Sequence, residues 1–559
     1  MAKQFKSGLR ASVGIVGGGP AGLMTAMELG CRGVTCTIFE EETVQPWLPK
    51  ANSSTARTME HYRRHGIAEE IRDVGLAEDH PQDIAYFTRY GTGYELARLQ
   101  GPSRREARQW SGVKNTDWPT PEPVSRSNQL FIEPVLRRAA LSHPSVELLL
   151  GHRVTEVSNN PNYVLLDVEN VKTGSAQRFK FLYVVGCDGA RSSIRKGVGI
   201  SHEGITDEER HFMGGQMLAT RLNAPAFYDI LQGERAWQHL AMNHQRRSIM
   251  GALDGKGLFT FHTQLPEGVE ADEDWVHQSL ALTVGCDFPY EIMAMAKWTA
   301  GMTLVAEKFQ IGRIFLVGDA AHLFTPTGGL GYNTSIEDAV NLGWKLAAAC
   351  NGWGGSELLL SYERERRPIA KRNTEFARSL ANNLGRIHIS PEHEKDTETG
   401  RWKRQELSTK LQHHAELEFN TQGIQLGVQY CTSPLVSSGI GAPPVDDPHI
   451  YIPTATPGCR APHLWLDQTQ SIYDVFGPEF TLIQLNHNKD VLPIIEAACF
   501  LGIPMQSFQL KNEEARELYG ADLILVRPDN HVAWRANEPP SDPELLLHQV
   551  IGESLQNSS

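Results

Sequence analysis

The sequence predicts an α/β chain built on a parallel sheet, with an antiparallel sheet inserted into it and a smaller mixed unit at the C-terminus. Three observations carry this. Near the N-terminus, Val13-Gly14-Ile15-Val16 runs into Gly17-Gly18-Gly19-Pro20-Ala21-Gly22, an apolar helical stretch, and then Cys36-Thr37-Ile38-Phe39-Glu40, which reads as strand, glycine turn, helix, strand and acid. Apolar runs ending in glycine and acid recur at 181–189 and 314–319, as buried parallel strands would that deliver residues to one edge of a sheet. Between them, residues 200–305 change to short alternating runs such as Leu258-Phe259-Thr260-Phe261-His262-Thr263, the pattern of an antiparallel sheet.

The opening motif has a mechanical reading. In Gly17-x-Gly19-x-x-Gly22 the first glycine makes a tight turn, the second lets the backbone approach a pyrophosphate, and the third packs the helix on the strand. Pro20 and Ala21 open a helix whose N-terminal N–H groups suit phosphates. Glu40 lies eighteen residues beyond Gly22, where a carboxylate accepts hydrogen bonds from ribose hydroxyls. Glu41 and Glu42 deepen the repulsion of a ribose phosphate, so the tightly held dinucleotide is FAD or NAD and not NADP. The first domain is therefore of the Rossmann type.

Further along, residues 53–72 have helical spacing, with Ser53 or Ser54 as the cap. Arg57 in its first turns reads either as a solvated helix residue or as a counter-ion to a bound pyrophosphate or flavin. Gln129 opens another helix. The second acid end carries Cys187-Asp188-Gly189 with Ser192 and Arg195, and the third carries Gly318-Asp319-Ala320-Ala321-His322. Three strand ends with glycine and acid point to one long ligand touched along its length. After the third, the loop from Pro326 through Gly329, Gly331 and Tyr332 to Asn333 leads into a helix over 335–346, whose N-terminal dipole suits an anionic flavin ring. Among the inserted strands, Tyr228, Phe259 and Phe261 are pocket candidates, although aromatics there are more often core.

The chain divides into a discontinuous first domain (1–80, 101–199 and 306–390), a substrate-binding insertion (81–100 and 200–305), a linker with some helix (391–445) and a C-terminal unit (446–559). In that last unit the order of strand 480–485, helix 491–500, strand 505–510 and the hairpin 523–534 is thioredoxin-like. Lacking C-x-x-C, it is expected to be redox-inert.

Hydrophobic residues at 40% and charged residues at 21% describe an ordinary globular protein. A net charge of −13 disfavours nucleic acid and anionic membrane surfaces as partners. The eight cysteines are scattered, with no zinc spacing, which points to reduced thiols, a cytoplasmic location and no metal. Lys3, Lys6 and Arg10 precede an uncharged run, but its five glycines and a proline make a poor signal-peptide helix.

Taken together, these motifs resemble the single-component FAD-dependent aromatic hydroxylases, over nearly the whole chain. Gly17-x-Gly19-x-x-Gly22 with Glu40 resembles the family's ADP-binding motif. Cys187-Asp188-Gly189 with Ser192 and Arg195 resembles its Asp-Gly motif, which touches FAD and the nicotinamide cofactor. Gly318-Asp319 resembles the Gly-Asp motif at the ribityl chain, and 326–333 resembles the loop under the isoalloxazine. Arg57 and Gln129 stand where the family places flavin contacts. The tail, with Tyr451-Ile452-Pro453, Pro457-Gly458-x-Arg460-Ala461-Pro462 and Tyr473-Asp474, resembles the thioredoxin-like domain of the phenol hydroxylase branch. Two departures stand out. Many relatives carry Arg where this chain has Glu41, and the yeast-type phenol hydroxylase has a substrate-deprotonating Asp where this chain has Asn52, an amide that cannot act as a base.

The resemblance implies an FAD enzyme that uses NADH or NADPH and O₂ to hydroxylate a small phenolic substrate ortho or para to its hydroxyl, through a flavin C4a-hydroperoxide, with Pro326 beside C4a. His322 is a candidate base by position, and equally a packing residue. Dimerisation is implied by the resemblance alone, giving a homodimer. The alternatives on the same fold are an epoxidase or a Baeyer–Villiger-type monooxygenase of a polyketide, and, from another class, a flavin-free binding protein.

Overall fold

The computed structural model describes residues 4–5, 11–44, 50–111, 118–206, 208, 210, 212–437 and 441–553. In chain order the elements that build the site begin with β1 (Val13–Val16), α1 (Pro20–Gly30), β2 (Cys36–Glu40), α2 (Ala56–Arg64), α3 (Ala68–Asp73), β3 (Ile84–Phe87) and β4 (Glu95–Leu99). There follow α4 (Gln129–Leu141), β5 (Val146–Leu150), β6 (His152–Asn159), β7 (Val164–Asn170), β8 (Ala176–Phe181), β9 (Tyr183–Gly186) and α5 (Ser193–Gly197). The insertion supplies β10 (Gly215–Asn223), β11 (Gln238–Met242), β12 (Arg247–Ala252), β13 (Leu258–Gln264) and β14 (Glu291–Ala300). Last come β15 (Ile314–Leu316), α6 (Leu330–Asn351), α7 (Ser356–Gly385), α8 (Glu398–Phe419), β16 (Phe480–Gln484), α9 (Leu492–Phe500), β17 (Met505–Gln509), β18 (Leu523–Val526) and β19 (Val532–Ala536).

The first sheet runs β15-β9-β1-β2-β5, all parallel, with Gln310–Ile311 added antiparallel at the β15 edge. Its inner strands are buried on both faces and largely apolar; Val13, Ile15, Ile38, Val184 and Phe315 are fully buried, while the edge strand β5 is partly exposed. Helix α6 lies tightly on α1: a Cβ added at Gly343 would fall 2.3 Å from Cβ of Glu28. A meander of β6, β7 and β8 crosses from β5 to β9.

The second sheet has the order β14-β10-β13-β12-β11-β3-β4, antiparallel throughout except for the parallel pair β11 and β3. In the C-terminal unit the order is β17-β16-β18-β19, with β16 and β17 parallel and the rest antiparallel, which is the thioredoxin-like arrangement. All cysteines of the structure are free thiols. Among the described residues no helix is long and apolar enough to cross a membrane.

Three elements depart from the sequence reading. The helix expected over 53–72 is two helices, α2 and α3, because Gly66 takes φ 72° between them; its cap is Thr55, whose hydroxyl accepts the N–H of Thr58, rather than Ser53 or Ser54. Helix α6 starts five residues early, at Leu330, because Gly328 (φ 79°) and Gly329 (φ 63°) make the left-handed turn that begins it. In the stretch read as a linker with some helix, α8 spans 22 residues and packs on β4 of the second sheet. Residues 45–49, just before Lys50, lie outside the described residues.

Buried ions fasten the C-terminal unit to the first domain. Glu365 on α7 accepts both terminal nitrogens of Arg527 at 2.8 Å and Nζ of Lys345 at 2.6 Å. Nearby, Glu60 on α2 takes Arg57 at 2.8 Å and is also paired with Arg460. Burial would raise the Glu60 carboxyl, but Arg460 and Arg57 outweigh it and hold it down at about 2. A carboxylate depressed in the folded state stabilises the fold above its unfolded pKa and loses that contribution as pH falls through the folded value. Thermal stability is therefore expected to decline from about pH 4.5 towards pH 2. Glu60→Gln, which leaves two buried guanidiniums short of a counter-charge, is expected to cost about 3–5 kcal/mol at neutral pH and to flatten that acid limb. An unchanged melting temperature at pH 7 would contradict this.

Candidate functional site

A cavity of about 800 Å³ lies between the carboxyl ends of β1, β2 and β9 and one face of the second sheet. Its far end is the glycine turn. Gly17 has φ 105°, and a Cβ there would lie 2.3 Å from the carbonyl oxygen of Cys187; one at Gly22 would lie 2.0 Å from the carbonyl of Gly17. Both positions require glycine for the turn and the packing. A Cβ at Gly19, by contrast, meets no atom within 4 Å, because Gly19, Pro20 and Ala21 face the cavity. This bare backbone beside a helix N-terminus fits a pyrophosphate. Glu40 is fixed at the rim, accepting the Gly18 N–H at 2.7 Å and the Glu42 N–H at 2.9 Å. Next to it, Glu41 pairs with Arg153 of β6 at 3.0 Å. A guanidinium thus reaches this rim from 112 residues away, a distance no local motif could reveal.

At the second acid end, Asp188 and Gly189 line the cavity. Asp188 also ties its own turn, accepting Ser192 Oγ at 2.5 Å and the N–H groups of Ser193 and Ile194 at 2.6 and 3.1 Å. Ser192 and Arg195 do not reach the cavity. Ser192 caps α5 by accepting the Arg195 N–H at 2.9 Å, and Arg195 donates to the carbonyl of Ile200 at 3.1 Å. At the third end Asp319 lines the cavity; burial pushes its carboxyl above the ordinary value, with His322 and Lys50 opposing. Gly318 is a turn residue behind it, at φ 66°.

His322 is turned away as well. Fully buried, it holds Asp338 at 2.6 Å through Nε2 and packs between Phe309 and Phe324, so it is a packing residue and not a base facing substrate. Pro326, Gly329, Gly331 and Tyr332 line the cavity where α6 begins, and the Tyr332 hydroxyl meets that of Tyr62. Asn333 lies one layer behind: its amide donates to the carbonyls of Gly329 at 2.7 Å and Ser53 at 3.1 Å, and its oxygen accepts the Thr55 N–H at 2.8 Å. Gln129 lines the cavity beside Asn52, its N–H on the Ala51 carbonyl at 2.8 Å. Arg57 does not: it is buried against Glu60 and donates to the carbonyl of Asp529 at 2.6 Å. The C-terminal unit claims this cation.

Across the cavity, the aromatics singled out from the sequence lie on the wrong face. Phe259 and Phe261 are buried in the core behind the sheet, and Tyr228 packs beside them. Successive residues of a strand point to opposite sides, so Thr260 and His262 of the same strand line the cavity instead. Tyr86, Gln238, Leu240, Ile249 and Trp298 complete that wall, and α8 adds Glu418 and Phe419. Glu418 accepts the Gly328 N–H at 2.8 Å and so braces the glycine turn before α6. The helical run behind its Thr397 cap was a signal available in the sequence. Among the described residues no three His, Cys, Asp or Glu side chains group as a metal site requires.

A dinucleotide cradle with an acid at its rim, continuous past a helix N-terminus with a chamber walled by a second sheet, fits the class of dinucleotide-dependent oxidoreductases. The chain belongs to the FAD binding domain family, whose profile matches residues 10–377, and a second profile, aromatic-ring hydroxylase C-terminal, matches 454–554. It is 30% identical to the FAD-dependent monooxygenase apdD of Emericella nidulans, over 96% of this chain and 90% of that one. It is 28% identical to a phenol 2-monooxygenase of a Pseudomonas species, over 96% and 91%. The solved structure of the rebeccamycin biosynthetic enzyme RebC with reduced flavin superposes with a TM-score of 0.87 at 31% identity, covering 98% of this chain and 100% of that one. The protein is thus an FAD-dependent aromatic monooxygenase, and the alternative of a flavin-free binding protein is set aside.

Gly19→Val keeps an allowed backbone (φ −76°, ψ −177°) but fills the space left for the pyrophosphate. It is expected to raise the FAD dissociation constant by roughly tenfold or more, read by flavin fluorescence on reconstitution, with the melting temperature of the deflavinated protein unchanged. Equal FAD affinity would show that the cofactor does not pass over Gly19.

Proposed function

We propose that this monooxygenase hydroxylates a phenolic aromatic ring at a carbon ortho or para to its hydroxyl, with NADH or NADPH as electron donor. The observation that carries the reading is the continuity of one cavity from Glu40 and the glycine turn, past the start of α6, to the wall formed by the second sheet. Bound FAD, once reduced, supplies the activation of O₂ and the oxygen atom that is transferred.

The residues divide the remaining work. Gly17, Gly19, Pro20 and Ala21 would cradle the pyrophosphate with Gly22 packing the helix behind them, Glu40 would hold the adenosine ribose, and Asp188, Gly189 and Asp319 would face the rest of the cofactor. The N–H groups at the start of α6, from Gly329 to Tyr332, favour negative charge on whatever lies against them. Pro326 fixes the approach to the reacting edge. Leu240, Ile249, Trp298, Phe324, Leu384 and Phe419 exclude water from it, which keeps an oxygen-transfer step from releasing peroxide instead. Asn52 stands at the place suited to a phenol base and cannot take a proton, so it orients the hydroxyl while the ring enters already acidic or loses its proton elsewhere.

The test is a screen of phenols with purified FAD-loaded protein, scoring NAD(P)H consumption against H₂O₂ release and product mass. A true substrate is expected to stimulate NAD(P)H oxidation roughly tenfold or more and to yield a product one oxygen heavier with its ring intact. A ring-opened or lactone product would favour Baeyer–Villiger chemistry, and the absence of any stimulation across the panel would overturn the phenol assignment.

A further inference from the structure

The cavity-facing side of the second sheet carries a register that the hydroxylase reading leaves unused. Strand pairing sets His262 opposite Ile249, Ile249 opposite Leu240, and Leu240 opposite Tyr86, and all four line the cavity. One straight row therefore crosses β13, β12, β11 and β3 in the order polar, apolar, apolar, polar. Its ends lie three strand spacings apart, roughly 14 Å. Side chains stand about perpendicular to a sheet, so the polar tips keep that separation. In the row alongside, Thr260 is opposite Gly251 and Gly251 opposite Gln238, so the middle of that second row has no side chain.

Both ends of the row lack a protein partner among the described residues. Nδ1 of His262 is buried and unbonded, and so is Nε1 of Trp298, whose ring stands edge-on to the imidazole at 6.0 Å. Tyr86 is 1% exposed, and only burial and the Glu418 carboxylate act on its hydroxyl, both raising its pKa well above the ordinary value. Burial holds the imidazole of His262 down at about 4. At neutral pH both ends are uncharged hydrogen-bonding groups. Nδ1 of His262 and Nε1 of Trp298 are closed to the cavity, so a ligand there meets the half-buried imidazole through its other edge, and meets Tyr86 at the far end of the row.

We propose that this row is a two-ended gauge: His262 and Tyr86 each hydrogen-bond one terminal oxygen of a flat fused-ring phenol whose middle lies on Ile249 and Leu240. The proposal rests on the hydroxylase reading and names its substrate by length and by the placement of oxygens. One hydrogen bond at each end leaves about 9 Å between the two ligand oxygens, the span of two to three fused six-membered rings. A single-ring phenol engages one end only.

The test uses the oxidised FAD-loaded protein and reads binding from perturbation of the flavin spectrum, without NAD(P)H. The probes are phenol, 2-naphthol, naphthalene-2,6-diol, 2-hydroxyanthracene and anthracene-2,6-diol. At least one diol is expected to bind roughly tenfold tighter than its own mono-ol. Tyr86→Phe and His262→Phe are each expected to reduce that advantage to about twofold or less while changing mono-ol affinity by less than about twofold. The wild-type ligand series stands as a test even if a variant fails to fold. Equal affinity for each diol and its mono-ol, phenol binding as tightly as the diols, or variants that weaken diol and mono-ol alike would overturn the gauge. Tight diol binding with no coupled NAD(P)H oxidation for any probe would leave the gauge and overturn the hydroxylase reading. Coupled hydroxylation of phenol with no binding of the diols would do the reverse.

Discussion

The site depends on one side chain that does not touch it. The carboxamide of Asn333 makes three hydrogen bonds to backbone groups of two separate segments, the start of α6 and the loop before α2. An amide offers both donor and acceptor on one rigid plane, so it fixes the spacing of those segments. That spacing shapes part of the cavity wall, to which Gly329 and Tyr332 belong from one segment and Asn52 and Ser53 from the other. From the far side Glu418 holds the Gly328 N–H, so the glycine turn is braced by the first domain and by the helix that covers the second sheet.

The C-terminal unit contributes in a different currency, that of buried charge. Arg460 and Arg527 enter the first domain and meet Glu60 and Glu365, and Asp529 offers its carbonyl to Arg57. Such ions are costly to bury singly and are stable only as matched sets. The unit is therefore locked on in one orientation behind α2, α6 and α7, and α6 begins at the cavity.

Legibility in the sequence followed the range of the interactions. The turn at Gly17, the packing at Gly22 and the acid at Glu40 sit within one strand–helix–strand unit, and each is recognisable from spacing because local sterics alone demand it. The thioredoxin-like unit was readable for the same reason, its strands and helix being short and locally patterned. Phe259 and Phe261 show the opposite case. Alternation tells that one set of residues in β13 is buried and the other is not, but both faces of this strand are covered, one by core and one by the cavity wall. Nothing in the strand itself says which face is which. Arg57 and His322 failed differently, since position beside a motif does not reveal whether Glu60 or Asp338 will take the side chain first.

By itself, then, the sequence determined a Rossmann-type cradle for FAD or NAD, an inserted antiparallel sheet and a glycine loop leading into a helix, because backbone sterics and strand period act over a few residues. The tertiary structure decided which side chains form the chamber. Arg153 arrives from β6, Glu418 from a stretch resembling a linker, and the row from His262 to Tyr86 exists only once four strands separated in sequence are in register. Register is set by turns, bulges and the burial of whole faces, which are properties of the assembled sheet and not of any one strand.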